Sequence, residues 1–149
     1  MGHPNRSALN KQNMKYNGIC VNIPVSNLDR AVIFYTNLGF APHPVFRGPD
    51  CQCMVVSDTI QVMVHLESSL RNFTPKPISN PVVATGVVTC LICDKKSQVD
   101  DLVAKAIANG GSKYDEPQDL GFIYAHGFMD VDGHVWRLNW MNPDIPMPH

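Results

Sequence analysis

The chain repeats one pattern of residues at a fixed spacing, and this internal repeat restricts the possible folds more than any other feature of the sequence. The stretches GICVNIPVSNLDRAVIFYTNLGF (18–40) and GVVTCLICDKKSQVDDLVAKAIANGG (86–111) each combine an apolar run, a Ser-x-x-Asp signal and a glycine near the end. The landmarks of the second stretch follow those of the first by 71 residues: Ser26 and Ser97, Asp29 and Asp100, Gly39 and Gly110. A spacing near half of the chain length indicates an internal duplication.

Each copy has the pattern of a strand, a helix and three more strands. Because a serine can cap the free amides of a first helical turn, and an acid three residues later complements them, the helices are predicted to start at Ser26 and Ser97. Gly39 and Gly110 are predicted to end them. Three strand-like runs follow in each copy: 44–46, 52–57 and 59–66 in the first, and 113–115, 121–129 and 134–141 in the second. The sequence therefore predicts an α+β protein of two βαβββ modules.

A proline-rich segment separates the two copies. Residues 69–84 contain three prolines and several polar residues, so they are predicted to form a non-helical connection. The first fourteen residues are polar and lack the apolar core of a secretory signal. The expected division is as follows: a flexible extension at 1–14, the first module at 15–68, the linker at 69–84, the second module at 85–142 and a tail at 143–149.

The composition argues against several classes of protein. With 149 residues, 44% of them hydrophobic and 17% charged, the chain is predicted to be globular rather than disordered. A net charge of -1 without a basic stripe argues against a nucleic-acid partner, and no apolar run approaches the roughly 20 residues of a membrane span. The five cysteines form no paired CxxC pattern and are interpreted as small apolar groups in a reducing compartment, which predicts a cytoplasmic protein.

Alternation along the strands predicts which side chains face the core. The apolar positions are assigned to the core: Ile19, Val21, Ile23 and Val25 in the first strand, Ile60, Val62, Val64 and Leu66 in the fourth, and Trp136, Leu138 and Trp140 in the last. The opposite positions are free to line a cleft: Cys20, Asn22 and Pro24, then Gln61, Met63, His65 and Glu67, then Val135, Arg137 and Asn139. In the strand after the linker, parity assigns Val88, Cys90 and Ile92 to the cleft side.

Two segments carry a resemblance to a known superfamily: VNIPVSNLDRAVIFYTNLGF (21–40) and PQDLGFIYAHGFMDVDGHVWRLNW (117–140). Together with the duplicated pattern, from about residue 18 to residue 141, they resemble the vicinal oxygen chelate superfamily of glyoxalases, extradiol dioxygenases and bleomycin-resistance proteins. The similarity is greatest to its glyoxalase/bleomycin-resistance type. The resemblance implies paired βαβββ modules whose curved mixed sheets enclose a cleft, and it implies a homodimer. The metal enzymes of the superfamily place four ligands, usually His, Gln or Glu, in that cleft.

The four ligand positions implied by the resemblance fall on Cys20, on His65, on Val88 or a residue next to it, and on Arg137. Valine has no lone pair to offer, and arginine is a permanent cation that would repel a metal ion. Only His65 and Cys20 remain, and two ligands do not make a firm site. We therefore expect no cofactor; if a divalent metal binds, His65 is its first ligand.

The residues at these positions each have two interpretations. Arg137 either binds an anionic or carbonyl-bearing ligand, or pairs with Glu67 or another carboxylate. His65 is either functional, as a base, a residual ligand or a pocket wall, or a satisfied structural histidine. Cys20 is interpreted as a packed residue more readily than as a nucleophile.

Other side chains are also candidates for ligand contacts. Asn22 and Asn139 either hold polar groups of a ligand or satisfy backbone atoms. Tyr124 and His126, with Phe122 and Phe128, form an aromatic strand face that suits a flat ligand, or else packs in the core or a dimer contact. The predicted ligand-binding set is as follows: Cys20, Asn22, His65, Glu67, Tyr124, His126, Arg137 and Asn139.

Three functions are compatible with these residues. The leading hypothesis is a glyoxalase/bleomycin-resistance-like protein that binds a small organic molecule in the sheet cleft without the catalytic metal of the superfamily. The alternative is a metal-dependent lyase, isomerase or dioxygenase, in which, for the lyase, a metal polarises substrate oxygens while a base moves a proton. The third is an interaction module, because one fold hosts many functions. The sequence leaves open whether the protein is an enzyme.

Overall fold

The computed structural model of the protein describes residues 15–146. The first module consists of β1 (Ile19–Pro24), α1 (Leu28–Asn37), β2 (Ala41–Gly48), β3 (Cys51–Ser57) and β4 (Ile60–His65), and a short helix α2 (Glu67–Leu70) follows it. The second module consists of β5 (Val88–Cys93), α3 (Lys96–Ala108), β6 (Ser112–Lys113), β7 (Gln118–Asp119), β8 (Ile123–Met129) and β9 (Val135–Met141). The predicted extension at 1–14 and the end of the predicted tail, 147–149, lie outside the described residues.

The strands of each module form one mixed sheet. The first sheet has the order β1-β4-β3-β2, and the second has the order β5-β9-β8-β6, with β7 also paired to β8. The first and last strands of each module are parallel neighbours, and all other pairs are antiparallel. Parallel strands need a long crossover connection, and the helix of each module forms part of it. The predicted α+β class and its two βαβββ modules are confirmed.

The strand predicted at 113–115 is divided in two. Pairing with β8 stops after the two residues of β6 and resumes only in β7. Pro117 lies between them and has no N–H to donate, so the ladder is interrupted. The interruption leaves Asp115 in a loop beside β8, where its carboxylate accepts a hydrogen bond from the Gly127 N–H (2.9 Å).

The residues that cap the helices differ from those predicted. Asn27 caps α1, because its side-chain oxygen accepts an N–H of the first turn (2.9 Å). At the start of α3, the side chain of Gln98 accepts the Lys95 N–H (2.9 Å), and Ser97 lies inside the helix. The prediction that Ser26 and Ser97 cap the helices is therefore wrong.

Both long helices end at the predicted glycines. Gly39 has a φ of 103° and Gly110 a φ of 101°, in the left-handed region where a side chain would be strained. None of the helices between residues 15 and 146 combines the length and the apolar content of a membrane span.

The two modules share one hydrophobic core. The ring centroid of Phe34 in α1 lies 6.3 Å from that of Phe128, and the centroid of Tyr35 lies 5.7 Å from that of Trp136. Because α1 belongs to the first module and both partners to the second, these pairs join the modules. Most of the positions that the sequence assigned to the core are buried: Ile23, Val25, Val62, Val64, Trp136 and Leu138. Ile19 is 60% exposed at a sheet edge, so its assignment to the core is wrong.

A polar network joins the modules beside this core. Tyr35 donates its hydroxyl hydrogen to Asp130 and accepts a hydrogen bond from the Trp136 indole N–H (3.0 Å). Burial is the main reason that the pKa values of Tyr35 and Asp130 are both raised. Nearby, Asp132 accepts hydrogen bonds from the N–H (2.9 Å) and the hydroxyl (3.0 Å) of Ser26. The Ser26 side chain therefore holds the start of α1 against the turn before β9 instead of capping the helix.

Candidate functional site

The face of the second sheet that points away from the shared core carries Arg137 and Asn139. In the parallel ladder of β5 and β9, Cys90 lies beside Arg137 and Ile92 lies beside Asn139. Val88 shares this face by alternation, in agreement with the parity expected from the sequence. This sheet face therefore combines one cation, one amide and a row of apolar or weakly polar side chains.

His65 is the centre of a closed hydrogen-bond group in the first module. The residue is only 1% exposed. Its Nε2 lies 2.8 Å from the Asn22 Oδ1, and its Nδ1 lies 2.8 Å from the Ser69 Oγ. Because an amide oxygen only accepts hydrogen bonds, Nε2 carries the proton and Nδ1 accepts the Ser69 hydroxyl. The Phe73 ring covers the imidazole with a centroid distance of 5.0 Å.

Burial makes His65 a poor base and a poor metal ligand. Desolvation lowers the pKa of its imidazole below the ordinary value of 6.5, so the ring is neutral near pH 7. A metal ion or a substrate proton would need one ring nitrogen and would have to displace Asn22 or Ser69 from it. The geometry matches the structural interpretation of His65, with Asn22 as its partner.

Cys20 is not placed to share a ligand with His65. In the ladder of β1 and β4, Cys20 lies beside Gln61, whereas His65 lies beside Pro24. Four residues along a strand span about 13 Å at roughly 3.3 Å per residue, too far for one metal ion to bind both side chains. Partial desolvation also raises the pKa of the Cys20 thiol, which disfavours the reactive thiolate.

The implied ligand positions in the second module do not provide a metal site either. Val88 lies beside Val135, and Arg137 keeps its positive charge on the same face. Between residues 15 and 146, no three His, Cys, Asp or Glu side chains are grouped so as to hold a metal ion. The side chains at the four implied positions do not fit the metal of the superfamily.

Arg137 is held by a single carboxylate. Its Nη1 donates a hydrogen bond to the Asp115 Oδ2 at 2.6 Å, and the arginine side chain is 27% exposed. The other oxygen of Asp115 accepts the Gly127 N–H from the centre of β8, which holds the carboxylate in position. A guanidinium has five N–H donors, and no other hydrogen bond or ion pair of the Arg137 guanidinium is found among residues 15–146. The free donors can bind a planar anion.

Two neighbours of Arg137 affect what such a ligand would meet. The Asn139 Oδ1 is buried and has no hydrogen-bond partner among the described residues. The Cys90 thiol has a raised pKa, mainly because of desolvation, and the charge of Arg137 opposes that shift only in part. Cys90 is therefore a weakly polar neighbour rather than a nucleophile.

Glu67 does not lie on the strand face where it was predicted. The chain leaves β4 after His65, and Glu67 occupies the first turn of α2. Its carboxylate is 59% exposed and pairs with Arg71 at 3.5 Å. The assignment of Glu67 to the ligand-binding face is wrong because a helical turn replaces the expected end of the strand.

Tyr124 and His126 lie on the core side of β8. Their ladder neighbours are Trp140 and Leu138, which belong to the shared core or pack against it. The Tyr124 hydroxyl donates a hydrogen bond to Asp100 of α3 (2.8 Å). The aromatic face of this strand therefore packs toward the helix, which matches the packing interpretation of Tyr124 and His126 rather than the ligand-wall interpretation.

Sequence reasoning missed the two residues that complete these groups, Asp115 and Ser69. A buried or half-buried arginine requires a carboxylate partner, but the sequence contains many, and Asp115 is selected only because Pro117 interrupts the ladder. Ser69 reaches His65 because α2 folds back over the end of β4. Neither contact has a signal in the order of the residues.

Comparison with solved structures identifies the fold. No protein-family model matches the sequence, and no curated protein matches it. A hypothetical protein from S. aureus is similar with a TM-score of 0.70 and 24% identity, over 89% of this chain and 98% of that chain. A glyoxalase/bleomycin resistance protein/dioxygenase family enzyme from Burkholderia phytofirmans has a TM-score of 0.68 and 20% identity, over 83% and 97%. A glyoxalase-related enzyme from Fulvimarina pelagi has a TM-score of 0.69 and 20% identity, over 87% and 90%. The chain therefore has the fold of the glyoxalase/bleomycin-resistance structures, and the resemblance noted in its sequence is confirmed at the level of the fold.

Proposed function

We propose that the protein binds a small organic molecule with an anionic group on the sheet face that carries Arg137, without a metal ion. The observation that supports this most is the Arg137 guanidinium, which is partly exposed and touches only one carboxylate among the described residues. A planar guanidinium binds carboxylates through two parallel hydrogen bonds. Solved structures with the same fold include proteins named as glyoxalase-type enzymes, and enzymes bind small molecules, which supports a ligand site in general but not its location.

The surroundings of Arg137 favour a ligand with an apolar body. Val88 and Ile92 lie on the same face, and they are 46% and 60% exposed. An aromatic carboxylate would place its charge on Arg137 and its ring on these side chains. Asp115 would give up its contact with the arginine when such a ligand arrives, so the ligand competes with an internal carboxylate.

The metal-dependent alternative lacks support from the same contacts. A metal ion near Arg137 would meet a like charge, and His65 would have to break a hydrogen bond in order to bind it. An anion that binds the Arg137 guanidinium meets an opposite charge and leaves the hydrogen bonds of His65 intact.

We further propose that the protein is a cytoplasmic homodimer whose contact includes β1. This strand is the edge of its sheet, and its Ile19 is 60% exposed. Apolar side chains on open edge strands favour association with another chain, and a second copy would cover them. All five cysteines are free thiols, which supports a reducing compartment.

Calorimetric titration of the full chain with benzoate and with neutral benzamide tests the binding proposal. After dialysis against a chelator, benzoate is expected to bind at least about tenfold more tightly than benzamide. Arg137→Gln should remove this preference. Arg71→Gln, a matched change at an arginine that pairs with an exposed carboxylate, should keep it. Equal binding of both compounds, an unaffected Arg137→Gln variant, or binding that returns only with added metal would contradict the proposal.

Light scattering after gel filtration tests the homodimer. Wild-type protein should elute at twice the mass of the chain, and Ile19→Asp should elute as a monomer. Ile33→Asp is the matched control, because Ile33 on α1 is also 60% exposed but lies off the sheet edge. A monomeric wild-type protein would contradict the dimer.

A further inference from the structure

We propose a second binding site, separate from Arg137, in a cavity beneath the linker at the seam between the two modules. The ligand it fits is a small neutral ring that bears a hydroxyl group, of which phenol is the simplest example. The inference goes beyond the proposed function, because it concerns other residues and a ligand of different charge.

The cavity has the volume of a small ring. It measures about 170 Å³ and is lined by residues of β1, β9 and the linker, among them Val21, Ile23 and Val135. Its linker side is open to solvent, since Val87 there is 70% exposed. A cavity of about 150 Å³ with apolar walls is large enough to bind benzene. The space is therefore sufficient for one six-membered ring with a short substituent.

The outer wall of the cavity is a fixed turn of the linker. The Asn80 carbonyl accepts hydrogen bonds from the Val83 and Ala84 N–H groups, both at 3.0 Å. On the inner side, the Pro81 carbonyl oxygen lies 3.0 Å from the point where a Cβ of Gly133 would stand. Gly133 has a φ of 100°, so glycine is required there both for the backbone and for the close approach of the linker.

The lining selects a neutral ligand. Among the described residues that line the cavity, none is an Asp, Glu, Lys or Arg. A charged ligand would lose its hydration without gaining an opposite charge, which costs several kcal/mol. This distinguishes the cavity from the sheet face at Arg137, where a cation is available.

The polar side chains in the lining are those of Asn22, Ser79, Thr85, Thr89 and His134. Hydrogen bonds orient two of them, Asn22 and His134. The Asn22 Oδ1 is held by His65, which leaves the Nδ2 of Asn22 as a donor without a partner among residues 15–146. His134 lies with its Nε2 2.6 Å from the Pro24 carbonyl oxygen. Because a carbonyl only accepts, Nε2 donates in this hydrogen bond, which leaves Nδ1 as the ring nitrogen without a partner among residues 15–146.

A hydroxyl group matches this pair of atoms. Its oxygen can accept a hydrogen bond from Asn22, and its hydrogen can be donated to His134 Nδ1. The ring of the ligand would lie on the valine and isoleucine side chains. An apolar ring without the hydroxyl would displace water from Asn22 and His134 without replacing its hydrogen bonds, and would therefore bind more weakly.

Titration with phenol and with toluene, which has the same shape, tests the proposal. Phenol should bind saturably and at least about tenfold more tightly than toluene. Ala84→Phe, which fills the cavity from the linker, should weaken phenol binding by at least about tenfold. The matched control is Val83→Phe, at a neighbouring exposed residue outside the lining, and it should bind phenol like the wild type. Equal binding of phenol and toluene, or an unchanged Ala84→Phe variant, would overturn the proposal.

Amide chemical shifts of the wild-type chain locate the probe even if Ala84→Phe does not fold. Phenol should shift the amide resonances of Val87, Thr89 and Gly133, which line the cavity. Shifts centred on Arg137 and Gly127 instead, or no saturable shifts, would overturn the proposal. Arg137→Gln should bind phenol normally while losing its preference for benzoate, so failure of one site is distinguishable from failure of the other.

Discussion

His65 and Arg137 occupy the last strands of their modules and were both predicted to face a cleft, yet the structure surrounds them differently. His65 is 1% exposed, and neutral side chains engage both of its ring nitrogens. Arg137 is 27% exposed, and its positive charge is paired with one carboxylate. The last strand of one module therefore carries a closed neutral group, and the last strand of the other carries an open charged group.

This difference shows that the number of free polar atoms decides whether such a residue can act on a ligand. A histidine whose two nitrogens are occupied contributes to stability, because any ligand must first break a hydrogen bond. An arginine with one partner retains donors for a second anion. The two modules thus share the last strand, but the hydrogen-bond partners of His65 and Arg137 on these strands differ.

The largest expected effect is the loss of stability in His65→Leu. The change removes two hydrogen bonds from a buried position, so the free energy of unfolding should fall by roughly 1–3 kcal/mol. Urea denaturation measures it. Arg137→Leu should cost less, because Asp115 remains partly hydrated. The comparison fails if the arginine variant is the less stable of the two.

Asp115→Asn should strengthen the binding of benzoate to Arg137. The amide cannot neutralise the guanidinium but still offers an oxygen to the Gly127 N–H, so affinity is expected to rise about three- to tenfold. Titration calorimetry measures the change. Asp119→Asn, which breaks the exposed pair with Lys96, is the control and should leave affinity unchanged. Weaker binding by Asp115→Asn would show that Asp115 assists the ligand instead of competing with it.

The stability of the protein should depend on pH through His65. Because burial lowers the native pKa of His65, the unfolded chain takes up the proton first as the pH falls below 6.5. The contribution of the neutral ring is complete above pH 6.5 and decreases as the pH falls toward the native pKa. Unfolding free energies of wild type and His65→Leu should therefore converge below pH 6.5. A difference that does not change with pH would mean that the native pKa is not lowered.

The smallest expected effect belongs to Glu67→Gln. Glu67 is exposed and pairs only with Arg71, so its loss should change the free energy of unfolding by less than about 0.5 kcal/mol. Benzoate binding should also remain the same. A clear loss of binding would return Glu67 to the ligand site from which its position in α2 removes it.

Much of the fold could be predicted from local signals. Gly39 and Gly110 end the helices because only glycine adopts their backbone angles without strain, and Val62 and Val64 are buried because alternation puts them on one side of a strand. The candidate site was less predictable. Tyr124 alternates correctly but packs toward α3, since periodicity defines two faces and does not say which one is the core.

The sequence by itself determined the internal repeat, the order of strands and helices, and the presence of a cation at residue 137, a position that the resemblance assigns to a metal ligand, because these depend on residue type and spacing. Only the tertiary structure decided that Asp115 pairs with Arg137 and that Ser69 and Asn22 close around His65. The Asp115–Arg137 and Asn22–His65 contacts join residues 22 and 43 positions apart, and the Ser69–His65 contact, four positions apart, requires α2 to fold back over the end of β4. They form because an interrupted strand and a short helix bring those side chains together, and no local pattern encodes that meeting.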